Sequence, residues 1–429
     1  MKKFYLLSLL ICSLQSLMAA EGDTIQVVFN GTTATVDIPS TASVTSTVNG
    51  AYVTLRSTTT TEEYVYALSG STAAGGLTIT GSYKLTLYLD GVSITSGKGA
   101  AIDVECGKRI AVVLADGTTN SLVDYASGSQ KGAFYTTGHP EFAGGGTLNV
   151  TGNVKHAIAA KEYLQIKKTV GIINVLSAVS DGIHCGKGKE NNENNYFQMN
   201  GGTLNISNVG SDCIDSDDYG TVLIKGGVLN LDVEATDVVG IKSDSTITIT
   251  DGTITVNVTG EESAGIRSNW ETRISGGEII LNVSGAGSKG IKGKQQTVKT
   301  VNNGGSVYIS DSTDMKIIAS GGNVIAAGDT TKCMGMSIDA DLKHTGGSVY
   351  ILAKGDEART YNVKGTESTT TGFIAEYESA AAVRHTKVGI EKNDVNIYSA
   401  QGIKQNQLGR GVNIIKRNGE PAKKVIVKE

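Results

Sequence analysis

Along most of the chain, a glycine is followed by apolar residues at every second position. Gly146-Thr-Leu-Asn-Val, Gly171-Ile-Ile-Asn-Val, Gly202-Thr-Leu-Asn-Ile, Gly227-Val-Leu-Asn-Leu, Gly252-Thr-Ile-Thr-Val and Gly277-Glu-Ile-Ile-Leu share the pattern, and Gly322-Asn-Val-Ile-Ala and Gly347-Ser-Val-Tyr-Ile extend it. The steps between these glycines are 25, 31, 25, 25, 25, 45 and 25 residues. The long steps read as insertions, six residues around Lys187 to Asn195 and twenty after Gly293. A fixed period with insertions at loops predicts a stacked repeat.

Each repeat holds three short alternating runs. The first places Leu204 and Ile206, Leu229 and Leu231, or Ile254 and Val256 on one face. The second carries Ile183, Ile214, Ile241, Ile266, Ile291 and Met336, and the third Val222, Ile224, Ile247, Ile249 and Ile274. Three strands in about 25 residues predict an all-β, right-handed parallel β-helix, a solenoid in which each strand pairs with its equivalent about 4.8 Å away. Asn149, Asn174, Asn205 and Asn230 then stack outside as an amide ladder. The expected organisation is 1–20 signal peptide, 21–90 N-terminal β-cap with irregular first coils, 91–384 β-helix and 385–429 a small C-terminal β domain.

Composition narrows the class. Glycine makes up 55 of 429 residues and proline only 3, which suits strands punctuated by turns and excludes collagen. The net charge is −4; the first twenty residues hold two lysines and no acid, so the remainder carries −6. That balance argues against nucleic acid as the partner. Lys2 and Lys3 followed by the apolar Phe4 to Leu14 read as a secretory signal, so the protein is expected to be secreted or held at the outer cell surface. No later stretch reaches the roughly 18 apolar residues of a membrane span. Cys106, Cys185, Cys213 and Cys333 show no CxxC spacing, which argues against a zinc site; they read as buried free thiols, with disulfides the alternative in an exported protein.

Leu85 to Val123 reads LTLYLDGVSITSGKGAAIDVECGKRIAVVLADGTTNSLV, and Lys131-Gly-Ala-Phe-Tyr, Ser180-Asp-Gly-Ile and Lys289-Gly-Ile-Lys recur beyond it. This resembles a family of secreted carbohydrate-binding domains with a pectate-lyase-like fold. The resemblance implies binding of acidic polysaccharide and bound calcium. Cys213, Val239 and Ala264 depart from its pattern. Val395-Asn-Ile-Tyr-Ser-Ala-Gln-Gly, Leu408-Gly-Arg-Gly-Val-Asn-Ile-Ile-Lys and Lys423-Lys-Val-Ile-Val-Lys resemble the sorting domain of type IX secretion, which implies that machinery as a partner. A plain C-terminal cap is the alternative.

Aligned on the second-run isoleucines, the residue two before reads His156, Asp181, Asp212, Val239, Ala264, Lys289, and the residue just after reads Ala159, His184, Asp215, Lys242, Arg267, Lys292. One face therefore passes from an acidic zone to a basic one. Asp181, Asp212, Asp215, Asp217 and Asp218 are the expected metal ligands: stacked carboxylates repel by roughly 3 kcal/mol at an effective dielectric near 20, and calcium takes such oxygens. A solvated acidic face without an ion is the alternative. His184, Lys242, Arg267, Lys292 and the turn residue Trp270 are the expected carbohydrate contacts, the cations meeting uronate carboxylates. Ion pairing between rungs is the competing role for the cations. Binding without catalysis is the leading function. A calcium-dependent lyase with Arg267 or Lys242 as base, a polygalacturonase-like hydrolase, and a structural surface adhesin without glycan specificity are the other readings, and the protein is expected to be a monomer.

Overall fold

The computed structural model describes residues 24–186, 195–298, 301–326 and 328–379, and four strands between 395 and 427. The expected signal segment and most of the 187–195 insertion lie outside the described residues. Every regular element among the described residues is a strand, and no described helix is long and apolar enough to cross a membrane. The chain divides into two units, 1–378 and 379–429.

In the first unit the alternating runs form parallel strands, and the interior residues named from the sequence are inward. Ile183, Ile214, Ile241, Ile266, Ile291 and Met336 are fully buried, as are Leu204, Leu229, Ile254, Val222 and Ile247. Equivalent residues pair in the expected register, Leu204 with Leu229 and Ile254 with Ile279. The amide ladder is present: Asn174, Asn205 and Asn230 each donate to the preceding Asn oxygen at 2.8 Å.

The expected architecture is corrected. Ten parallel strands close a circuit, a β-barrel with extra strands, in place of the right-handed parallel β-helix solenoid. One arm runs from Leu85–Thr95 through Arg109–Leu114, His139–Ala143, Leu164–Ile166 and Tyr196–Met199 to Thr221–Val233. The other returns through Thr203–Ile206, Ile172–Ala178, Thr147–Gly152 and Thr119–Val123 to Leu85–Thr95. The physical reason lies in the two long strands. The third and first runs are expected as separate strands, the first opening at Gly227 just after Gly226. The strand Thr221–Val233 instead continues through that pair with a register shift, with Gly227 at φ 97°. Only glycine fits there, since a Cβ on Gly227 would lie 2.8 Å from the Gly202 carbonyl. Leu85–Thr95 joins the arms at the other end in the same way.

A second, thirteen-stranded sheet carries the isoleucine runs, from Val44–Asn49 to Arg359–Val363. The N-terminal hairpins pair antiparallel before the parallel register begins. The strand after Lys289–Gly293 in this sheet is Met334–Ile338. Two antiparallel hairpins lie between them, Gln296–Val298 with Val301–Asn303 and Val324–Ala326 with Asp329–Thr331. The Gly322 repeat is therefore another correction: Val324 to Ala326 belong to a hairpin, and Asp314–Ala319 takes the repeat position, pairing with Glu278–Val283. The four described cysteines are free and buried. The second unit is a four-stranded antiparallel sheet.

Candidate functional site

The thirteen-stranded sheet sets one column of side chains in register: Asp103, Tyr135, Ala159, His184, Asp215, Lys242, Arg267 and Lys292. Adjacent positions are about 4.8 Å apart, so the column is a continuous track across the sheet. The isoleucine before each of the last five residues packs inward, which turns these side chains to the other face.

In the middle of the track three buried carboxylates converge, Asp181, Asp212 and Asp215, with ligand atoms within 4.8 Å of one another. Each of their six oxygens lies within 3.3 Å of a protein N–H or a side-chain nitrogen, although Asp215 Oδ1 meets Lys242 as an ion pair without a well-formed hydrogen bond. Asp181 Oδ1 accepts from the Asp212 N–H at 3.2 Å, and Asp212 Oδ1 from the Val239 N–H at 2.8 Å. Asp181 Oδ2 lies 3.0 Å from both His156 Nδ1 and His184 Nδ1. Lys242 Nζ bridges Asp212 Oδ2 at 2.9 Å and Asp215 Oδ1 at 3.1 Å, and His184 Nδ1 reaches Asp215 Oδ2 at 3.3 Å. The two imidazoles stack with centroids 4.3 Å apart.

The titration behaviour follows from these contacts. Burial works against a charged His184, but hydrogen bonds and charge from Asp181 and Asp215 raise it to about 9. Burial opposes ionisation of Asp181 as well, yet the two histidines hold its carboxyl well below the usual range. Lys242 loses solvation on burial but is raised by Asp212 and Asp215. Burial lowers His156, and burial raises Asp212 against the pull of Lys242.

Calcium does not fit this donor set as it stands. The ion takes six to eight oxygens, and the oxygens here are already engaged by Lys242, two histidines and two backbone N–H groups. The other two expected ligands lie apart from the triad. Asp217 hydrogen-bonds with Asp244; burial and that partner raise Asp244 to about 6, while Asp217 is lowered against its own burial. Asp218 and Tyr219 sit at φ 52° and 67°, an uncommon left-handed pair that turns the 78 % exposed Tyr219 outward.

The expected carbohydrate contacts separate into two kinds. His184 and Lys242 are neutralised by the carboxylates. Arg267 and Lys292, next in the column, make no ion pair with a carboxylate among the described residues, and Arg267 Nε is buried without a hydrogen-bond partner. Burial and the charges of Arg267 and Lys294 lower Lys292. Lys289, which the sequence placed in the neighbouring column without assigning it a role, is buried beside them, and its Nζ donates to the Gly287 and Lys332 carbonyls at 2.5 Å; burial and Lys292 lower it to about 8. Its place two before the fully buried Ile291 was the available signal. Next to it a groove is lined by Lys289, Lys332, Arg359, Thr331, Tyr361 and Asn362. Trp270 is half-exposed in the turn that follows the Arg267 strand.

A family model described as "Carbohydrate-binding domain-containing protein" matches residues 49–331. No curated protein matches the chain. A solved structure titled "Structure of the polysaccharide lyase-like protein from C. thermocellum, Gadolinium derivative" is similar at 23% identity and a TM-score of 0.46, covering 56% of this chain and 93% of that one. The family match spans well over half of the sequence, and the chain belongs to the family of carbohydrate-binding domain-containing proteins.

Proposed function

We propose that this is an exported protein that binds an acidic polysaccharide along the face of the thirteen-stranded sheet without cleaving it. The observation that carries the reading is the unpaired cation series, Arg267 and Lys292 in register beside a basic groove. Crowded like charges with no carboxylate in ion-pair contact favour an anionic ligand, although Asp237 and Asp339 act on Lys292 from farther off, and a guanidinium meets a carboxylate as a bidentate fork. The half-exposed Trp270 offers an aromatic face for a sugar ring. The net negative charge opposes a polyanion at long range, so the local series must dominate at contact. A lyase base at Lys242 is disfavoured, because two carboxylates hold its ammonium protonated.

Binding to polygalacturonate is expected in the presence of chelator, weakening as salt rises over the range where the Debye length shrinks below about 10 Å. Replacing Arg267 and Lys292 together by alanine should lower affinity by about tenfold or more, since hydrogen bonds to charged groups contribute roughly 1.5–3 kcal/mol. Calorimetric titration measures both. A glycan array with only neutral ligands would defeat the reading, and unsaturated products released from pectate would replace binding with lyase chemistry.

The C-terminal unit is proposed to direct export through the type IX machinery, on the tail's resemblance. Deleting residues 385–429 should leave the protein inside the outer membrane, read by fractionation; unchanged export would assign the tail a capping role.

A further inference from the structure

The place at which the family resemblance implies calcium is held by the chain's own cations. We infer that Lys242, with His184, is a built-in replacement for a divalent ion between Asp181, Asp212 and Asp215, and that this centre is metal-independent. Lys242 Nζ lies within 3.1 Å of oxygens from two carboxylates, and His184 Nδ1 within 3.3 Å of oxygens from two. Between them they touch all three acids. Asp215 is shared: one oxygen faces the ammonium and the other the imidazole.

Sequence position explains the substitution. Lys242 enters the column directly after Asp215, and one residue further along the repeat axis its stem is long enough to reach back over Asp215 to Asp212 in the neighbouring column. In that neighbouring column the next residue is Val239, whose N–H donates to Asp212 Oδ1. A carboxylate at 239 would extend an acidic, metal-hungry row; valine ends it, and the lysine closes it with a positive charge. Lys242 and His184 are both engaged by these acids, and Arg267 and Lys292 are left as the cations of the column with no carboxylate in ion-pair contact among the described residues. This inference concerns the folded chain alone and does not depend on which glycan binds.

Thermal melting of the full mature chain tests it. The wild-type protein should melt at the same temperature in chelator and in millimolar calcium chloride. Lys242→Met should lower the melting temperature by several degrees in chelator, because three buried carboxylates lose a counter-charge, and calcium chloride should restore most of the loss by binding the native state. Lys242→Arg keeps the charge and should remain indifferent to calcium; it also guards against a methionine variant that fails to fold. A wild-type melting temperature that rises with calcium, with the rise abolished by Asp212→Asn, would overturn the inference. So would a Lys242→Met protein that calcium does not restore, or a Lys242→Arg protein that calcium stabilises.

Discussion

Ile241→Asp should abolish cooperative folding of the first unit. Ile241 is fully inaccessible and pairs with Ile214 and Ile266, which are equally buried. The substitution removes the transfer and packing contribution of an aliphatic side chain and places an unpaired carboxylate in an apolar stack. Together these cost about 5 kcal/mol or more, comparable with the whole stability of many domains. Asn230→Ala gives the contrast. Its Nδ2 donates one bond to Asn205 Oδ1 on an exposed edge, so its loss should cost about 1 kcal/mol. Chemical denaturation followed by circular dichroism reads both. Similar losses for the two variants would mean that the inward and outward faces of the repeat are exchanged.

That contrast also marks what the sequence makes legible. Alternation of apolar and polar residues determines which side chains face the interior, and the 25-residue spacing determines register, because both are local and repeated. Closure of the strands into a barrel is not local. It depends on whether Gly226 and Gly227 end a strand or carry it through, and a glycine pair permits either. The Gly322 segment fails for a related reason. Gly-Asn-Val-Ile-Ala has the composition of a repeat strand, but its partner is Asp329–Thr331 immediately downstream, whereas the strand in the repeat position, Asp314–Ala319, follows Thr313 rather than a glycine.

The candidate site was legible as columns and obscure as contacts. Aligning the isoleucines brings Asp181, Asp212, Asp215, Lys242, Arg267 and Lys292 to their observed neighbours. It cannot tell that Lys242 reaches across columns to Asp212 while Arg267, one position on, finds no carboxylate, since that depends on side-chain reach and on which acids remain near. Asp217 and Asp218 look equivalent to the triad in sequence. Asp217 turns to Asp244 and Asp218 enters a left-handed turn with Tyr219; the Asp-Asp-Tyr-Gly run signals a turn there but not where its two carboxylates point.

Asp181→Ala should be the most damaging polar substitution on the track. One oxygen of this carboxylate faces two histidines and the other accepts a backbone N–H. Removing one partner of a buried charged cluster typically costs about 3–5 kcal/mol. The sign of its pH dependence is specific. His184 has an ordinary value of 6.5 and a folded value of about 9, so its contribution is complete below 6.5 and is lost as pH rises through 9. His156 is shifted the other way, chiefly by burial, so its contribution is present above 6.5 and lost as pH falls. Wild-type stability should therefore fall between pH 6.5 and 9 in proportion to His184 protonation. In Asp181→Ala that slope should shrink, because only Asp215 remains to hold the imidazolium, and the His184 resonance should titrate at lower pH. Stability measured by denaturation from pH 6 to 9.5, with the two histidines followed by NMR, checks both. An unchanged slope in Asp181→Ala would assign the alkaline loss to other groups and leave Asp181 a packing role.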